Sequence, residues 1–419
     1  MSGLGRVIIV GAGPVGLSLA IALEDAGFSP LVLEKRVTLR PHSRAIGITP
    51  ASLEIFDRYG VAADLVSAGV PVRSAVVHGN RGALGEGSFA NIRSPFKHIL
   101  SLPQRRTEEI LLDHFLRRGK GEIQWGWEVE DLAVDDMGVM VGAIFRGADR
   151  VRGEAVDETK EERRRFEGAL LIGCDGKHSS VRKLGGFRWA GTKLSETFLM
   201  ADITDDTDLG DIAHLYFTSA GSVESFPLPK GLRRWIVQTE GLQAEEPEGL
   251  LQSLVQERTG VSLGGSEEWW RSSFQTERRE ASPWGRPPLF LAGDAAHLMP
   301  PIGGQGMNVG IADVEFLADL VSLAADNPRG LEVLSAEYER RRRRAFRVAA
   351  RRSILGMKVG TTRGVALGTM RDRLVFLVLR SPLAGRLMEH FSMIGAPERR
   401  SPWRPPEQSL SGGNNRHQA

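Results

Sequence analysis

The chain has 419 residues, 41% of them hydrophobic and 25% charged, with a formal net charge of +2 at neutral pH. That length suggests two or three units around separate cores, the composition is that of an ordinary globular protein, and so small a charge supplies no global drive toward nucleic acid. A single cysteine, Cys174, excludes an intramolecular disulfide and fits a reducing compartment.

Residues 6–10 read as a buried parallel strand: short, β-branched and ended by glycine. The run breaks at Gly11 and leads into a helix pattern, so it is not read as a signal peptide. No apolar stretch approaches the roughly 18 residues of a membrane-spanning helix, and a cytoplasmic location is expected. Gly11-Ala12-Gly13-Pro14-Val15-Gly16 comes next. Helical apolar spacing over 15–26 (Leu17, Ala20, Ile21, Leu23) stops at Gly27. Residues 30–34 read as a second strand, completing a βαβ unit with a right-handed crossover. Thr49-Pro50 opens another helix, with Gly60 after its end. Residues 72–102 are β-like and interrupted by glycine, and 106–118 are helical. A β-meander is expected over 129–172, with a charged hairpin around 157–165. Strands dominate the first part of 187–275, which holds one helix at 247–258. After Asn308 the chain reads as helical to about residue 395, and the Pro-, Ser- and Gly-rich tail from 399 as disordered.

Three motifs carry chemistry. Gly11-x-Gly13-x-x-Gly16 lies between strand and helix. There Gly11 permits the tight turn, Gly13 lets backbone amides reach a pyrophosphate, and Gly16 lets helix and strand pack closely. Glu34, ending the second strand, is placed to accept hydrogen bonds from ribose hydroxyls. The second motif is LIGCDGKHSSVR, residues 171–182, a strand ending at Gly-x-Asp-Gly before a short helix. Within it Cys174 reads as buried filler and His178 as an exposed turn residue. The third is LFLAGDAAHLMPPIGGQGMN, residues 289–308. Its Asp294 follows an apolar strand and suits a polyol hydroxyl. Its Gly-rich turn opens a helix whose free amides favour negative charge on a ring. His297 is read as structural. The first and third motifs together suggest FAD lying along the protein.

In this order the motifs resemble the FAD-dependent aromatic hydroxylases, single-component flavoprotein monooxygenases of the p-hydroxybenzoate hydroxylase type, over roughly residues 5–350. The resemblance implies an α/β fold with a Rossmann-like FAD-binding domain (1–71, 101–183 and 285–335). An inserted, β-sheet-rich substrate domain (72–100 and 184–284), a helical C-terminal region (336–398) and a disordered tail (399–419) complete it. It places Gly11, Gly13 and Gly16 at the pyrophosphate, Glu34 at the adenosine ribose, and Arg44 near the pyrophosphate and the flavin's path. Gln104 falls at the flavin side, Asp175 at FAD and NAD(P)H, and Asp294 at the ribityl chain. Gly306, Met307 and Asn308 face the flavin ring, and the carbonyl of Pro301 lies near the hydroxylated position. The implied chemistry is reduction of FAD by NADPH or NADH docking transiently, then addition of dioxygen to give a flavin C4a-hydroperoxide. An electron-rich ring, commonly a phenol, captures its distal oxygen. No metal is assigned.

The inserted region is expected to roof the flavin, and His214, Tyr216, Phe226, Trp235 and Gln238 are its candidate substrate contacts. His214 or Tyr216 is the candidate to deprotonate a phenol, although sheet core is the preferred reading of Tyr216 and Trp235, and no base is assigned. Arg340 to Arg344 form a run of five arginines, read as a solvated helix face, with a patch for a membrane surface or an acidic partner as the rival. The apolar run at 374–379 reads as core, as an active-site cover, or as a peripheral membrane contact. Rival activities on this fold are an epoxidase, a Baeyer–Villiger oxygenase and an isoprenoid reductase, and a carrier of lipid-modified partners is the non-enzymatic rival.

Overall fold

The β-branched run after Arg6 forms β1 (Val7–Val10), buried at every position as a central parallel strand requires. The computed structural model describes residues 4–41, 44–136, 138–147, 162–242, 249–264, 267–301 and 303–394. After β1 come α1 (Pro14–Asp25), β2 (Leu31–Glu34), β3 (Gly47–Ile48), α2 (Pro50–Arg58), α3 (Ala62–Ala68), β4 (Val70–Val72), β5 (Ser74–Gly79), β6 (Gly82–Ser88) and β7 (Ile99–Ser101). Then follow α4 (Gln104–Arg118), β8 (Glu122–Trp125), β9 (Trp127–Asp135), β10 (Gly138–Phe145), β11 (Arg163–Gly168), β12 (Leu170–Gly173), α5 (Ser180–Leu184), β13 (Arg188–Thr204), β14 (Ala213–Thr218), β15 (Gly221–Leu228) and β16 (Leu232–Thr239). The last part holds α6 (Leu250–Thr259), β17 (Glu268–Ser282), β18 (Gly285–Arg286), β19 (Leu289–Leu291), β20 (His297–Leu298), α7 (Gln305–Asp326), α8 (Leu331–Gly360), α9 (Val365–Leu379) and α10 (Leu383–Phe391). The tail from 399 and the tip of the charged hairpin at 157–161 lie outside the described residues.

Two sheets position the site. The first runs β18-β19-β12-β1-β2-β8. From β19 to β8 its strands are parallel, and β18 joins β19 antiparallel. The second runs β20-β17-β13-β16-β15-β14-β5-β6, antiparallel except between β14 and β5. The fold is therefore α/β with a β-rich insertion and helices toward its end, as the sequence predicts. One detail differs: β20 lies in the 285–335 range yet pairs with β17 of the second sheet. The third motif is thus held by both sheets.

Alternation gives the second sheet two distinct faces. Leu199, Ala201, Tyr216, Trp235 and Val237 pack beneath Leu251 and Val255 of α6. Phe198, Met200 and Phe274, on the opposite face, pack against Met357 of α8. This 30-residue helix is about 45 Å long and acts as a splint between the sheets. Tyr338 donates to the Leu291 carbonyl of the first sheet, Ser353 to the Pro300 carbonyl, and Met357 reaches the second sheet.

The arginine run in α8 is only partly the solvated face expected. Arg340 and Arg341 pair with Glu337, and Arg343 pairs with Glu339 and Glu280. Arg342 turns inward and is buried. The apolar run at 374–379 falls in α9, which packs on β6 and leaves Leu374 and Leu377 60% and 64% exposed. Among the described residues no helix is long and apolar enough to cross a membrane.

Candidate cofactor site and the roof above it

All three motifs lie at the C-terminal ends of neighbouring parallel strands, the edge where open α/β sheets bind ligands. In the order β19-β12-β1-β2, these ends carry Asp294, Asp175, the glycine motif and Glu34. Gly11 has φ +105°, and a Cβ there would lie 2.5 Å from the Cys174 carbonyl. A Cβ on Gly16 would sit 1.9 Å from the Gly11 carbonyl oxygen. These two glycines are packing requirements. Gly13 differs: a Cβ there meets nothing within 4 Å. It borders an open notch at the start of α1, where no side chain caps the helix and no acid occupies the first turn. Free backbone N–H groups and the positive end of a helix dipole then face that notch, the arrangement that suits a phosphate.

Asp175 caps α5. Its Oδ2 accepts from the N–H groups of Ser180 and Val181 at 2.6 and 3.1 Å. Its Oδ1 is buried with no protein partner, and burial raises its pKa against these hydrogen bonds. Arg182, 3% exposed, donates to the carbonyls of Ala295 (2.9 Å) and Lys177 (2.7 Å), and its guanidinium lies 3.9 Å from the centre of Trp189. It ties the second motif to the third. Cys174 is buried, which pushes its thiol well up, and His178 is exposed in its turn.

The third motif is fixed by a network that sequence reasoning missed. Asp313 on α7 is wholly buried. Its Oδ2 accepts from the Gly293 N–H at 3.0 Å and from His297 Nε2 at 2.8 Å. Its Oδ1 accepts from Arg342 Nε at 2.8 Å. Burial alone would raise the Asp313 carboxyl, but the charges of His297 and Arg342 prevail and hold it below the ordinary range. His297 stacks on Phe346 and sits against Trp284, so it is spent on structure. Asp294, one residue from Gly293, makes no such contacts. It is exposed to solvent, yet the protein around it raises its pKa, with His297 and Lys177 pulling it back.

α1 and α7 meet at this point. Cβ atoms on Gly293 and Gly310 would lie 3.0 and 2.7 Å from the Val15 side chain. The glycine fingerprint and the late loop are therefore in contact through Val15. α7 starts at Gly304, with φ +66° and no side-chain cap. Gly306 and Met307 are half-buried in its first turn. Asn308 is buried, and its side chain is engaged on both sides. Oδ1 accepts from Thr49 N–H at 2.9 Å, and Nδ2 donates to the carbonyls of Gly47 and Gly304 at 2.9 and 2.6 Å. Pro301 is exposed, and its carbonyl accepts from Gly304 N–H at 2.8 Å.

Three expected cofactor contacts have other partners here. All four acceptor positions of the Glu34 carboxylate are taken, by Ala12 N–H and by three donors of Arg36. A ribose hydroxyl reaches it only if Arg36 turns aside. Arg44 donates to Ser272 Oγ and the Ser273 carbonyl, both at 3.2 Å, and lies 5.2 Å from the Phe274 ring, so it reaches the second sheet. Gln104 donates to Glu108 at 2.7 Å, one turn along α4.

The second sheet places the substrate candidates on two different faces. Tyr216 and Trp235 lie in the core beneath α6, on the face away from α8 and the third motif. His214 shares that face. It stacks with Tyr216, bonds His78 at 3.1 Å and the Leu209 carbonyl at 3.1 Å, and burial lowers its pKa. The apolar face of α6 claims these aromatic groups, so they are not brought toward Asp294. Gln238 is buried, its Oε1 accepting from Ser222 N–H at 3.1 Å. Phe226 alternates onto the α8 side and is half-exposed.

A glycine-bordered notch, two uncapped helix starts, an orphaned Asp175 oxygen and an open Asp294 carboxylate share one strand edge. They define a dinucleotide-binding α/β protein with a β-sheet roof, and the residues fit an FAD. The chain belongs to the FAD binding domain family, whose model matches residues 5–353, and so to the FAD-dependent aromatic hydroxylases. It is 33% identical over 320 residues to 6-methylpretetramide 4-monooxygenase of Streptomyces rimosus, covering 75% of this chain and 55% of that protein. Identity to rifampicin monooxygenase of Streptomyces venezuelae is 30% over 334 residues, 78% of this chain and 66% of that one. The chain thus spans between about half and two thirds of these relatives. OxyS anhydrotetracycline hydroxylase from Streptomyces rimosus superposes with a TM-score of 0.74 at 26% identity, over 93% of this chain and 76% of that one. p-Nitrophenol 4-monooxygenase PnpA from Pseudomonas putida DLL-E4 gives a TM-score of 0.81 over 94% and 99% of the two chains, a likeness of fold at 21% identity.

Proposed function

We propose that this chain is an FAD-dependent monooxygenase that uses NAD(P)H and dioxygen to hydroxylate a phenolic or polycyclic aromatic compound. The observation that carries the reading is the contact of the first and third motifs through Val15 at one strand edge. A single elongated ligand would reach both. The likeness to a 6-methylpretetramide monooxygenase and an anhydrotetracycline hydroxylase supports the substrate class. FAD, when bound and reduced by NAD(P)H, supplies activation of dioxygen. The chain does the rest. The notch at Gly13 and the start of α1 would hold the pyrophosphate. Asp294 would accept from the ribityl chain. The start of α7 would offer N–H donors to the ring, and the second sheet would exclude water.

A phenolic or polycyclic substrate should stimulate NADPH or NADH oxidation by the FAD-loaded protein and yield a product heavier by one oxygen, read by mass spectrometry. Peroxide release with no oxygenated product from any phenol tried would sink the reading. Asp294→Ala should weaken FAD binding by about tenfold or more, the value of one hydrogen bond to a charged acceptor. Flavin absorbance per protein after desalting measures this, and unchanged occupancy would remove Asp294 from the cofactor site.

A further inference from the structure

β15 carries an acid that the cofactor chemistry does not use. Glu224 is 8% exposed, and among the described residues its carboxyl has neither hydrogen bond nor ion pair. Burying a carboxylate without a partner is costly, so such a group calls for a function. Its position supplies one. Glu224 lies opposite Leu215 on β14 and Ile236 on β16, and two residues along the strand from Phe226. These three are only half-buried, so the acid has apolar neighbours that leave an opening, while Ser222 on its own strand and Arg234 and Gln238 on β16 share the face. By alternation this is the face of Phe198, Met200 and Phe274, opposite to that of Val223 and Trp235. α8 joins this face to the cofactor edge. Met357 packs on it, a Cβ on Gly360 would lie 3.1 Å from Phe217, and Ser353, one turn before Met357, holds the Pro300 carbonyl at 2.8 Å. A half-open, partly apolar face, linked by α8 to the cofactor edge and carrying one unpaired acceptor, matches an aromatic ring bearing a hydroxyl.

We propose that Glu224 receives the phenolic hydroxyl of the substrate, accepting its hydrogen bond and taking its proton. This rests on the hydroxylase reading and names the group that orients the substrate within it. The substrate O–H bond breaks, its electron pair stays on the phenolic oxygen, and the proton passes to the Glu224 carboxylate. The ring thereby gains electron density when oxygen is delivered, and the proton returns to that same phenolic oxygen once transfer is done.

Burial alone raises the Glu224 pKa, to about 7, with no charged neighbour contributing. The charged groups at this face are Arg234, paired with Asp202, Arg44, held by β17, and Arg371 of α9, which lies over the Phe217 ring and pairs with Asp372. Arg73 and His98 flank β4 and β7, which touch β15. Met357 and Gly360, the α8 contacts, carry no charge. A carboxyl at this pKa is half-ionised at neutral pH, the condition in which a base both accepts and returns a proton.

The test uses FAD-loaded protein with 2-naphthol and its ether 2-methoxynaphthalene, binding being read from the flavin absorbance. The wild type should prefer the naphthol by about tenfold at pH 8 and less at pH 6, because the ionised acceptor strengthens the bond. In Glu224→Gln the preference should collapse and lose its pH dependence. A second readout needs no ligand. Since the folded pKa of about 7 exceeds the ordinary 4.5, wild-type stability should fall as pH rises between them. The variant should therefore melt above the wild type at pH 8, and this gap should close by pH 5. Equal binding of both compounds by the wild type, or an unchanged preference in Glu224→Gln, overturns the assignment and leaves the hydroxylase reading standing. Failure to hold FAD, or to oxygenate any phenol, overturns the hydroxylase reading itself.

Discussion

Asp313→Ala is expected to cost about 3–5 kcal/mol of stability and to strip the purified protein of flavin. The carboxylate is wholly buried, and three donors from three segments converge on it: Gly293 N–H, His297 and Arg342. Removing it leaves the Arg342 guanidinium buried at 4% exposure with no counter-charge. Such an orphan costs more than the pair contributes. The loss also reaches the site, because Asp313 pins the N–H of Gly293 one residue before Asp294. Urea unfolding monitored by tryptophan fluorescence measures the first effect, and flavin content the second. The double change Asp313→Leu with Arg342→Met should recover much of the stability, since an apolar pair leaves no stranded charge. It should not restore the flavin, since the turn stays unpinned. A single Asp313→Ala variant as stable as the wild type would mean that the network is not closed as described.

The parts of the site that were legible in the sequence are those specified locally. The Gly11-x-Gly13-x-x-Gly16 spacing, the β-branched run before it and the acid at the end of the next strand lie within one βαβ unit, where spacing dictates geometry. Long-range partners left weaker marks. Five consecutive arginines read as a surface, yet the helical period turns Arg342 inward with Tyr338 and Phe346, each four residues away. The one sign of this was Asp313 itself, an acid at the fourfold spacing of Val309 and Leu317 on an otherwise apolar stripe. Alternation put His214 and Tyr216 on one face, as found, but could not say which face α6 would cover. Leu251 and Val255 decide that, from a helix thirty-five or more residues downstream of Tyr216. The same ambiguity hid Glu224, whose mark in the sequence is an acid between Val223 and Ser225 in a strand buried on nearly every residue. Glu34 shows the converse limit. Its place after β2 was legible, but the claim of Arg36 on its oxygens was not, because two residues of separation do not fix a side-chain rotamer.

The two glycines flanking Pro14 and Val15 should separate folding from cofactor binding. Gly16→Ala places a methyl group 1.9 Å from the Gly11 carbonyl oxygen and 3.3 Å from the Cys174 side chain. A backbone oxygen cannot rotate away, so α1 must lift from β1. The cost is expected to be at least about 3 kcal/mol, beyond the roughly 1 kcal/mol that alanine returns through helix propensity. Gly13→Ala meets no atom within 4 Å, so the apoprotein should change by no more than about 1 kcal/mol, the difference between glycine and alanine at a helix start. The same methyl group, however, projects into the notch that a pyrophosphate would enter. It would hold the phosphates off the free amides of α1, removing one or two charge-assisted hydrogen bonds and weakening FAD by about a hundredfold. Urea midpoints of the apoproteins and calorimetric titration with FAD distinguish the two outcomes. A Gly13→Ala protein that binds FAD as the wild type does would show that the open notch is not the phosphate seat. An equally stable Gly16→Ala protein would contradict the close packing of α1 on β1 and β12, from which the geometry of that notch follows.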